Sequence, residues 1–593
     1  MPQDAGDPPG PTTCRKPRVC HGAQSLEAEG TEEQLFGQSS QTDQFPGLPP
    51  GFVVDDDIFP KSHDNIVKTV SESVLQKSLC KKRMLGFYFW CLLFHLHNCL
   101  GVCPRRCSCD AARSVQCYRI TEVPAGISIA TRLYVSHSKI KHLQVSDVSG
   151  IAGLEELILF SSGIEVIENS TFRALSTLKT LELQKNKLTQ IPGSLPSNLE
   201  VLKLGDNTIR SIYQSDFEGL QKLRVLEIQN NMITILPSNI LSPLFNLQSL
   251  NLDSNSLESV IGPLQLLHLK HLSLANNRLH VFPGNYFAPL QHLQFLSLAG
   301  NLLTKVPQGL PRSLLSLNLE RNHIKNVRFG DMRHLENLIE LFLSANQLSS
   351  MDGAQVLSNI TILEVARNRL KAIPLRLPSK LQKLDCSNNL IPKATEPDFQ
   401  GLHDLKHLFL DNNVVSFFED GALQKCVQLS NLALEQNLLT AIPLRLPDTL
   451  ARLDLKGNSI EDIREQELKG LNQLQVLNLR NNKISAIDGK VLECLPRLQH
   501  LYLDGNPWNC TCDLLRVKKL LKKKGTDVQS GQCMEPEESH GESWMSSRKI
   551  LQHCKDSPYP TDNEKEVSQS AKLDEKIGTK IQMDDDDYDY EID

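Results

Sequence analysis

One eleven-residue pattern, L-x-x-L-x-L-x-x-N-x-L, recurs along most of this 593-residue chain and constrains its fold more than any other feature. Clear copies are LKTLELQKNKL from residue 178, LRVLEIQNNMI from 223 and LQSLNLDSNSL from 247. Seventeen registers follow one another, and they begin at residues 130, 154, 178, 199, 223, 247, 269, 293, 314, 338, 360, 381, 405, 429, 450, 474 and 498. Because one copy cannot bury its own leucines, the pattern predicts a stacked solenoid with a continuous core.

Each position of the repeat has an expected role. The leucines at positions one, four, six and eleven should point inward, and the L-x-L segment should form a short strand with alternating faces. Position nine is asparagine in fifteen registers and serine in the first two, at Ser138 and Ser162. We expect these buried polar side chains to bond backbone groups of the neighbouring turn. Cys386 occupies a leucine position and is predicted to be a buried free thiol.

The spacing between registers varies from 21 to 24 residues, and most of the short repeats contain a pair of prolines, as in QIPGSLPSNL and AIPLRLPSKL. Proline fixes φ and removes a backbone donor, so these segments should be extended rather than helical. The predicted fold class is an α/β-type leucine-rich repeat solenoid. Short parallel strands form its concave face, and irregular, polyproline-II and 3-10 segments form its convex face.

Two clusters of cysteines flank the repeats, where an open solenoid needs caps over its exposed core. They comprise Cys103, Cys107, Cys109 and Cys117 on one side and Cys510, Cys512, Cys533 and Cys554 on the other. Clusters of this kind are either zinc ligands or disulfides, and a secretory signal favours disulfides.

Such a signal is predicted at residues 84–101. Basic residues 81–83 precede an apolar run at 85–96, and Cys99 and Gly101 are small residues at positions suited to cleavage after Gly101. Cleavage there would produce a secreted chain with no membrane span. The alternative is an uncleaved signal-anchor that holds a cell-surface adhesion or receptor ectodomain.

Composition completes the predicted organisation. The net charge is -6, and 13 acidic but only 5 basic residues follow Cys554. A nucleic-acid-binding surface needs a basic patch, and neither part of the chain has the charge balance expected of one. No catalytic, phosphate-binding or dinucleotide motif occurs, and no histidine cluster has metal-ligand spacing, so we expect neither an enzyme nor a cofactor. The predicted segments are a disordered extension at 1–83, the signal peptide at 84–101, an amino-terminal cysteine cap at 102–129, the solenoid at 130–505, a carboxyl-terminal cysteine cap at 506–554 and a disordered acidic tail at 555–593.

Candidate modification sites lie in three segments. N-glycosylation sequons occur at Asn169, Asn359 and Asn509. Tyr588 and Tyr590 lie in the terminal stretch MDDDDYDYEID, a setting in which tyrosines of the secretory pathway are sulfated. Such a tail would suit basic proteins, and the alternative is that it only increases solubility.

The candidate ligand-binding residues lie at outward positions of the predicted strands. Charges there are mixed but acidic on balance, which favours basic or mixed-charge proteins. The aromatic residues at these positions are not needed by the core and are candidate anchors, although packing on strand neighbours would also explain them. They are Phe295, Phe342, Phe409 and Tyr502.

The two cysteine caps, the secretory signal and the alternation of short and long repeats resemble the small leucine-rich proteoglycan family over residues 103–554. The carboxyl-terminal cap instead resembles the four-cysteine cap of other extracellular leucine-rich proteins, without the extended repeat of well-known family members. The pairs that these resemblances imply are Cys103–Cys109, Cys107–Cys117, Cys510–Cys533 and Cys512–Cys554.

The family resemblance also implies a function. It points to a protein of the extracellular matrix that binds collagens or growth factors of the transforming growth factor-β family and inhibits or sequesters signalling. A purely structural matrix component is a further alternative. The resemblance does not determine the oligomeric state.

Overall fold

The computed structural model describes residues 103–237, 239–351 and 353–554. Its main feature is one sheet of twenty strands, in which the strand of each repeat pairs in parallel with the strand of the next. In spatial order these strands are β1 (Cys107–Cys109), β2 (Ser114–Tyr118), β3 (Arg132–Ser136), β5 (Glu156–Phe160), β7 (Thr180–Glu182), β8 (Val201–Lys203), β9 (Val225–Glu227), β11 (Ser249–Asn251), β13 (His271–Ser273), β14 (Phe295–Ser297), β15 (Ser316–Asn318), β16 (Glu340–Phe342), β17 (Ile362–Glu364), β18 (Lys383–Asp385), β20 (His407–Phe409), β22 (Asn431–Ala433), β23 (Arg452–Asp454), β24 (Val476–Asn478), β25 (His500–Tyr502) and β27 (Asp527–Gln529).

The opposite side of the repeats carries only short elements. Its paired strands, which take the omitted numbers, are β4 (His142–Leu143) with β6 (Val166–Ile167), β10 (Ile235–Pro237) with β12 (Ser259–Ile261), β19 (Lys393–Ala394) with β21 (Phe417–Phe418), and β26 (Trp508–Asn509) with β28 (Cys533–Glu535). The α-helices are α1 (Val145–Ser149), α2 (Glu465–Leu468), α3 (Gly489–Glu493), α4 (Cys512–Lys524) and α5 (Arg548–His553). The 3-10 helices are Gln214–Phe217, Phe329–Met332, Ala354–Val356, Glu396–Phe399 and Glu537–Ser539.

Each of the seventeen registers contains one strand of the large sheet, at positions three to five of the repeat. In β16 the central Leu341 is fully buried, while Glu340 and Phe342 on either side face outward. This alternation is the strand geometry that L-x-L predicts, and the same leucine row continues through all the repeats as one core. The solenoid prediction is confirmed.

Asparagines at position nine hold neighbouring repeats together. Asn301 is buried, and its Nδ2 donates to the carbonyl oxygens of Leu298 at 3.0 Å and Leu274 of the preceding repeat at 2.9 Å. Its Oδ1 accepts from the backbone N–H of Leu279 at 3.0 Å. The serine at position nine of the first repeat connects that repeat to the cap in a similar way. Its Oγ, in Ser138, accepts from the backbone N–H of Ile120.

The 21-residue repeats with paired prolines have neither a helix nor a strand on the convex side, as their prolines predict. In the first of them, segment 189–198 consists of bends and a turn. The one-turn helices lie in the longer repeats, for example α3 in the repeat that begins at residue 474.

Disulfide-bonded caps close both ends, as predicted. At the amino-terminal end, β1 pairs antiparallel with β2, which pairs in parallel with β3, and the disulfides join Cys103 to Cys109 and Cys107 to Cys117. At the other end, β27 adds to β25, and Trp508 and Trp544 are buried with their ring centroids 6.0 Å apart. The disulfides there join Cys510 to Cys533 and Cys512 to Cys554.

Free thiols lie inside the solenoid as well. Cys386 is completely buried among the leucines, and burial together with the nearby carboxylate of Asp385 raises its pKa well above the ordinary value. A thiol that stays protonated and inaccessible is unreactive. Cys386 is therefore a packing residue.

Candidate functional site

The candidate site is the outward-facing surface of the large sheet. Strand residues at positions three and five of each repeat face outward, and position seven continues this surface beyond the strand. Because neighbouring strands are in register, equivalent positions of successive repeats form three continuous rows. We call these rows the concave face.

Carboxylates outnumber cations on the concave face by twelve to six. All six cations form ion pairs with carboxylates of this face, for example Lys383 with Glu364 at 2.9 Å and Lys203 with Glu182 at 3.1 Å. The other four pairs are Arg132–Glu156, Arg452–Asp454, Lys456–Glu435 and Arg480–Asp504. Among the residues that the structure describes, six concave carboxylates have no salt-bridge partner, namely Glu227, Asp253, Glu320, Glu340, Asp385 and Asp411.

Acidic side chains cluster around Asp411. Its side chain is only 9% exposed, and its Oδ1 accepts from the backbone N–H of Glu435 at 2.8 Å. Burial, together with the nearby carboxylates of Asp454, Glu435 and Asp385, raises the pKa of Asp411 to about 8 despite the opposing effect of that hydrogen bond. Burial and the nearby Glu364 carboxylate also raise the pKa of Glu320. This part of the concave face therefore favours a cationic partner.

Three of the four predicted aromatic anchors reach solvent. Phe295 is 40% exposed and stacks on His271 of the preceding repeat with ring centroids 4.6 Å apart. Phe342 and Tyr502 are half-buried, and the Arg480 guanidinium lies 4.5 Å from the centre of the Tyr502 ring. These rings are held in place by their neighbours and still present a face to a ligand.

Phe409 differs from the other three. It is only 6% exposed, the Lys383 Nζ lies 5.7 Å from its ring centre, and the His407 ring stacks 6.5 Å away. It therefore offers little surface to a ligand in this structure, although it lies at the predicted outward position of β20. Its packing on neighbouring strand residues is the alternative that the sequence left open.

A second aromatic group, which was not among the predicted anchors, lies at the amino-terminal end of the concave face. Tyr118 and Tyr134 are exposed, and the His137 ring lies 5.6 Å from that of Tyr118 and 6.0 Å from that of Phe160. The Lys185 Nζ lies 5.2 Å from the Phe160 ring centre. The outward position of Tyr134 is visible in the first register, but Tyr118 joins the face only because β2 of the cap extends the sheet.

The sequons lie outside the strands of the large sheet. Asn169 is exposed, whereas Asn359 is half-buried and its Nδ2 donates to the carbonyl oxygen of Glu336 at 2.7 Å. Asn509 is half-buried beside Cys510. The sulfation candidates Tyr588 and Tyr590, the predicted extension, signal peptide and acidic tail all lie outside the described residues.

Two kinds of feature are absent from the described ranges. Within 103–237, 239–351 and 353–554, no helix has the length and apolar character needed to span a bilayer. Nor does any group of three or more histidine, cysteine, aspartate or glutamate side chains in these ranges have an arrangement that would hold a metal ion.

Comparison with known proteins supports the fold. The family described as Leucine rich repeat matches residues 152–195, 197–257, 379–439 and 448–507. A leucine-rich repeat protein of Leptospira interrogans superposes with a TM-score of 0.57 at 29% identity, covering 64% of this chain and 96% of that chain. A chain of the glycosylated Toll–Spatzle complex of Drosophila superposes with a TM-score of 0.59 at 22% identity, covering 72% of this chain and 64% of that one, which shows the fold alone.

Sequence relatives identify the family. Nephrocan of Mus musculus is 62% identical over 482 residues, which cover 81% of this chain and 94% of nephrocan. Podocan of Mus musculus is 29% identical over 63% of this chain and 56% of podocan, and decorin of Canis lupus familiaris is 36% identical over 32% of this chain and 54% of decorin. With its repeats, its two disulfide caps and a relative that matches almost end to end, the chain belongs to the small leucine-rich proteoglycan family of leucine-rich repeat proteins.

Proposed function

We propose that this protein is secreted into the extracellular matrix, where it binds protein ligands on its concave face. Six acidic side chains without a cationic partner, on the same face as the exposed ring of Phe295 and the half-buried ring of Phe342, are the observation that carries the proposal. Fixed aromatic rings supply apolar contact, and surplus negative charge attracts basic partners and raises their association rate. The face therefore suits a basic or mixed-charge protein.

The ligand classes come from the family resemblance. Collagens and growth factors of the transforming growth factor-β family are the proposed partners, and sequestration is the proposed means of inhibiting a growth factor. The alternative of a purely structural matrix protein predicts binding to collagen without any effect on growth-factor signalling. The receptor alternative requires retention by an uncleaved segment at residues 85–100.

Truncation of the Phe295 and Phe342 rings tests the concave face. Phe295→Ala with Phe342→Ala should weaken binding to an immobilised growth factor of this class by about 2 kcal/mol or more, roughly thirtyfold, because aromatic anchors carry a large share of interface energy. The loss should appear mainly as faster dissociation in surface plasmon resonance.

Phe417→Ala is the matched control, since Phe417 is also exposed but lies in β21 on the convex side. It should bind like the wild type. If the double variant dissociates from both the growth factor and fibrillar collagen at the wild-type rate, these rings are not anchors.

Secretion is tested by sequencing the amino terminus of protein recovered from culture medium. We expect the mature chain to start near Val102, and Leu92→Arg with Leu93→Arg should abolish secretion by breaking the apolar run. Recovery of the wild type only from membranes, with residues 1–83 intact, would support the signal-anchored alternative instead.

A further inference from the structure

The carboxyl-terminal cap carries a basic surface that the concave binding face does not use. It lies on helix α4, whose apolar side chains Leu514, Val517 and Leu521 are buried. The helix ends at Gly525, which adopts the left-handed conformation that favours glycine and accounts for the stop. Its position is therefore fixed by its buried side, and its other side faces solvent.

Four cations occupy the solvent side, and we call them the α4 basic face: Arg516, Lys519, Lys522 and Lys523. The spacing of Arg516, Lys519 and Lys523 places them on one side of the helix. Asp513 lies 3.5 Å from Arg516, but within the described part of the chain none of the three lysines forms a salt bridge. The face therefore has a surplus of positive charge.

The helix dipole explains only part of this arrangement. Cations in the last turn of a helix are stabilising, which accounts for Lys522 and Lys523. Lys524 does not belong to the α4 basic face, because its Nζ donates to the carbonyl oxygens of Leu492 and Leu495 beside α3. Arg516 and Lys519 lie in the first half and middle of α4, where the dipole offers little benefit, so a partner with negative charge is a better explanation for the whole face.

The chain itself carries such a partner. Seven of the ten residues from Asp584 to Asp593 are acidic. The disulfide between Cys512 and Cys554 holds the last described residue 5.6 Å, between Cα atoms, from the first residue of α4. The chain beyond Cys554 therefore starts beside the helix.

The connecting length is sufficient. Twenty-nine residues, 555 to 583, separate Cys554 from the acidic segment. A helix of thirteen residues is about 18–20 Å long, and a connection of that length spans several times this distance when extended. Tethering also gives a local concentration on the order of millimolar, so a weak ionic contact is enough for substantial occupancy.

Two other surfaces of the described chain fit the acidic segment less well. The concave face has a surplus of carboxylates and would repel it. Cations on the flank of the early repeats already have partners, as Lys179 lies 2.8 Å from Glu155 and Arg224 lies 3.9 Å from Glu200.

We infer that the acidic segment 584–593 docks on the α4 basic face of its own molecule. The contact is ionic and screened by salt, since the α4 basic face is exposed and the segment is mostly acidic. While docked, the segment is shielded from basic ligands, and α4 is shielded from other polyanions. A sufficiently basic ligand that binds at the concave face would compete with α4 for the carboxylates of segment 584–593. It would thereby release α4.

Zero-length carbodiimide cross-linking of the full chain, followed by peptide mass spectrometry, tests this contact directly. At low salt, Lys522 should be joined to carboxylates of segment 584–593, and a mixture of isotopically light and heavy protein should show that the link is within one molecule. The Lys519→Glu, Lys523→Glu variant keeps Lys522 as the reporter but reverses the charge around it. The yield at Lys522 should fall about fivefold or more, and raising the salt to about 1 M should reduce it similarly in the wild type.

The charge-conserving Lys519→Arg, Lys523→Arg variant is the control and should retain the wild-type yield. An unchanged yield in the glutamate variant would mean that proximity alone produces the link, and the inference would be wrong. Links spread evenly over exposed lysines of the solenoid would contradict it as well. No ligand takes part in the experiment, so its outcome is independent of the proposed growth-factor binding.

Discussion

Asn301→Ala is expected to lower the free energy of unfolding by about 3–5 kcal/mol. The substitution leaves the buried N–H of Leu279 without a partner and removes one of two amide donors from the carbonyl oxygens of Leu274 and Leu298. It also creates a small cavity in the middle of the solenoid. The loss is large because these bonds connect two repeats, and each repeat contacts only its neighbours.

Guanidinium unfolding followed by circular dichroism measures this effect. Asn246→Ala is the matched control, since Asn246 is only half-buried and its Nδ2 makes one solvent-exposed bond, to the carbonyl oxygen of Gln221 at 2.8 Å. The control should cost less than about 1 kcal/mol. Equal losses for the two variants would show that the buried asparagines do not couple the repeats.

Asp411→Asn is expected to become more stable relative to the wild type as the pH rises from 5 to 8, by up to about 4 kcal/mol. Folding raises the pKa of Asp411 from 3.8 to about 8, so the folded protein retains a proton that the unfolded chain releases in this range. The wild type therefore loses stability between these two pKa values, and the loss is complete above pH 8.

The Asp411→Asn variant has no carboxyl group to titrate and therefore lacks this pH-dependent loss of stability. The Oδ1 of its amide can still accept from the N–H of Glu435. Unfolding curves for both proteins at each pH give the difference. Asp420→Asn, which removes an exposed carboxylate close in sequence, should follow the wild-type profile. Parallel profiles for wild type and Asp411→Asn would mean that Asp411 is ionised in the folded protein at neutral pH.

The solenoid could be predicted because its signal is local and repeated. A leucine at position four is buried in every strand for the same reason, and an asparagine at position nine finds the same backbone groups one repeat away. The family resemblance supplied the cysteine pairs, which the spacing of the cysteines alone left open between metal ligands and disulfides. Tyr118, by contrast, joined the concave face through the pairing of a cap strand, and the repeat pattern does not extend to that strand.

Within the repeats, the sequence by itself determined which side chains lie on the concave face, because strand alternation assigns each residue to a side. Only the tertiary structure decided which of them are available to a ligand. Phe342 and Phe409 occupy the same outward row, yet Phe342 is half-buried and Phe409 is covered. Asp385 and Asp454 likewise share a row, but only Asp454 is buried. The exposure and the charge balance at each position depend on side chains of the neighbouring repeats. Stacking of the repeats brings these side chains into contact, and the sequence of a single repeat does not specify them.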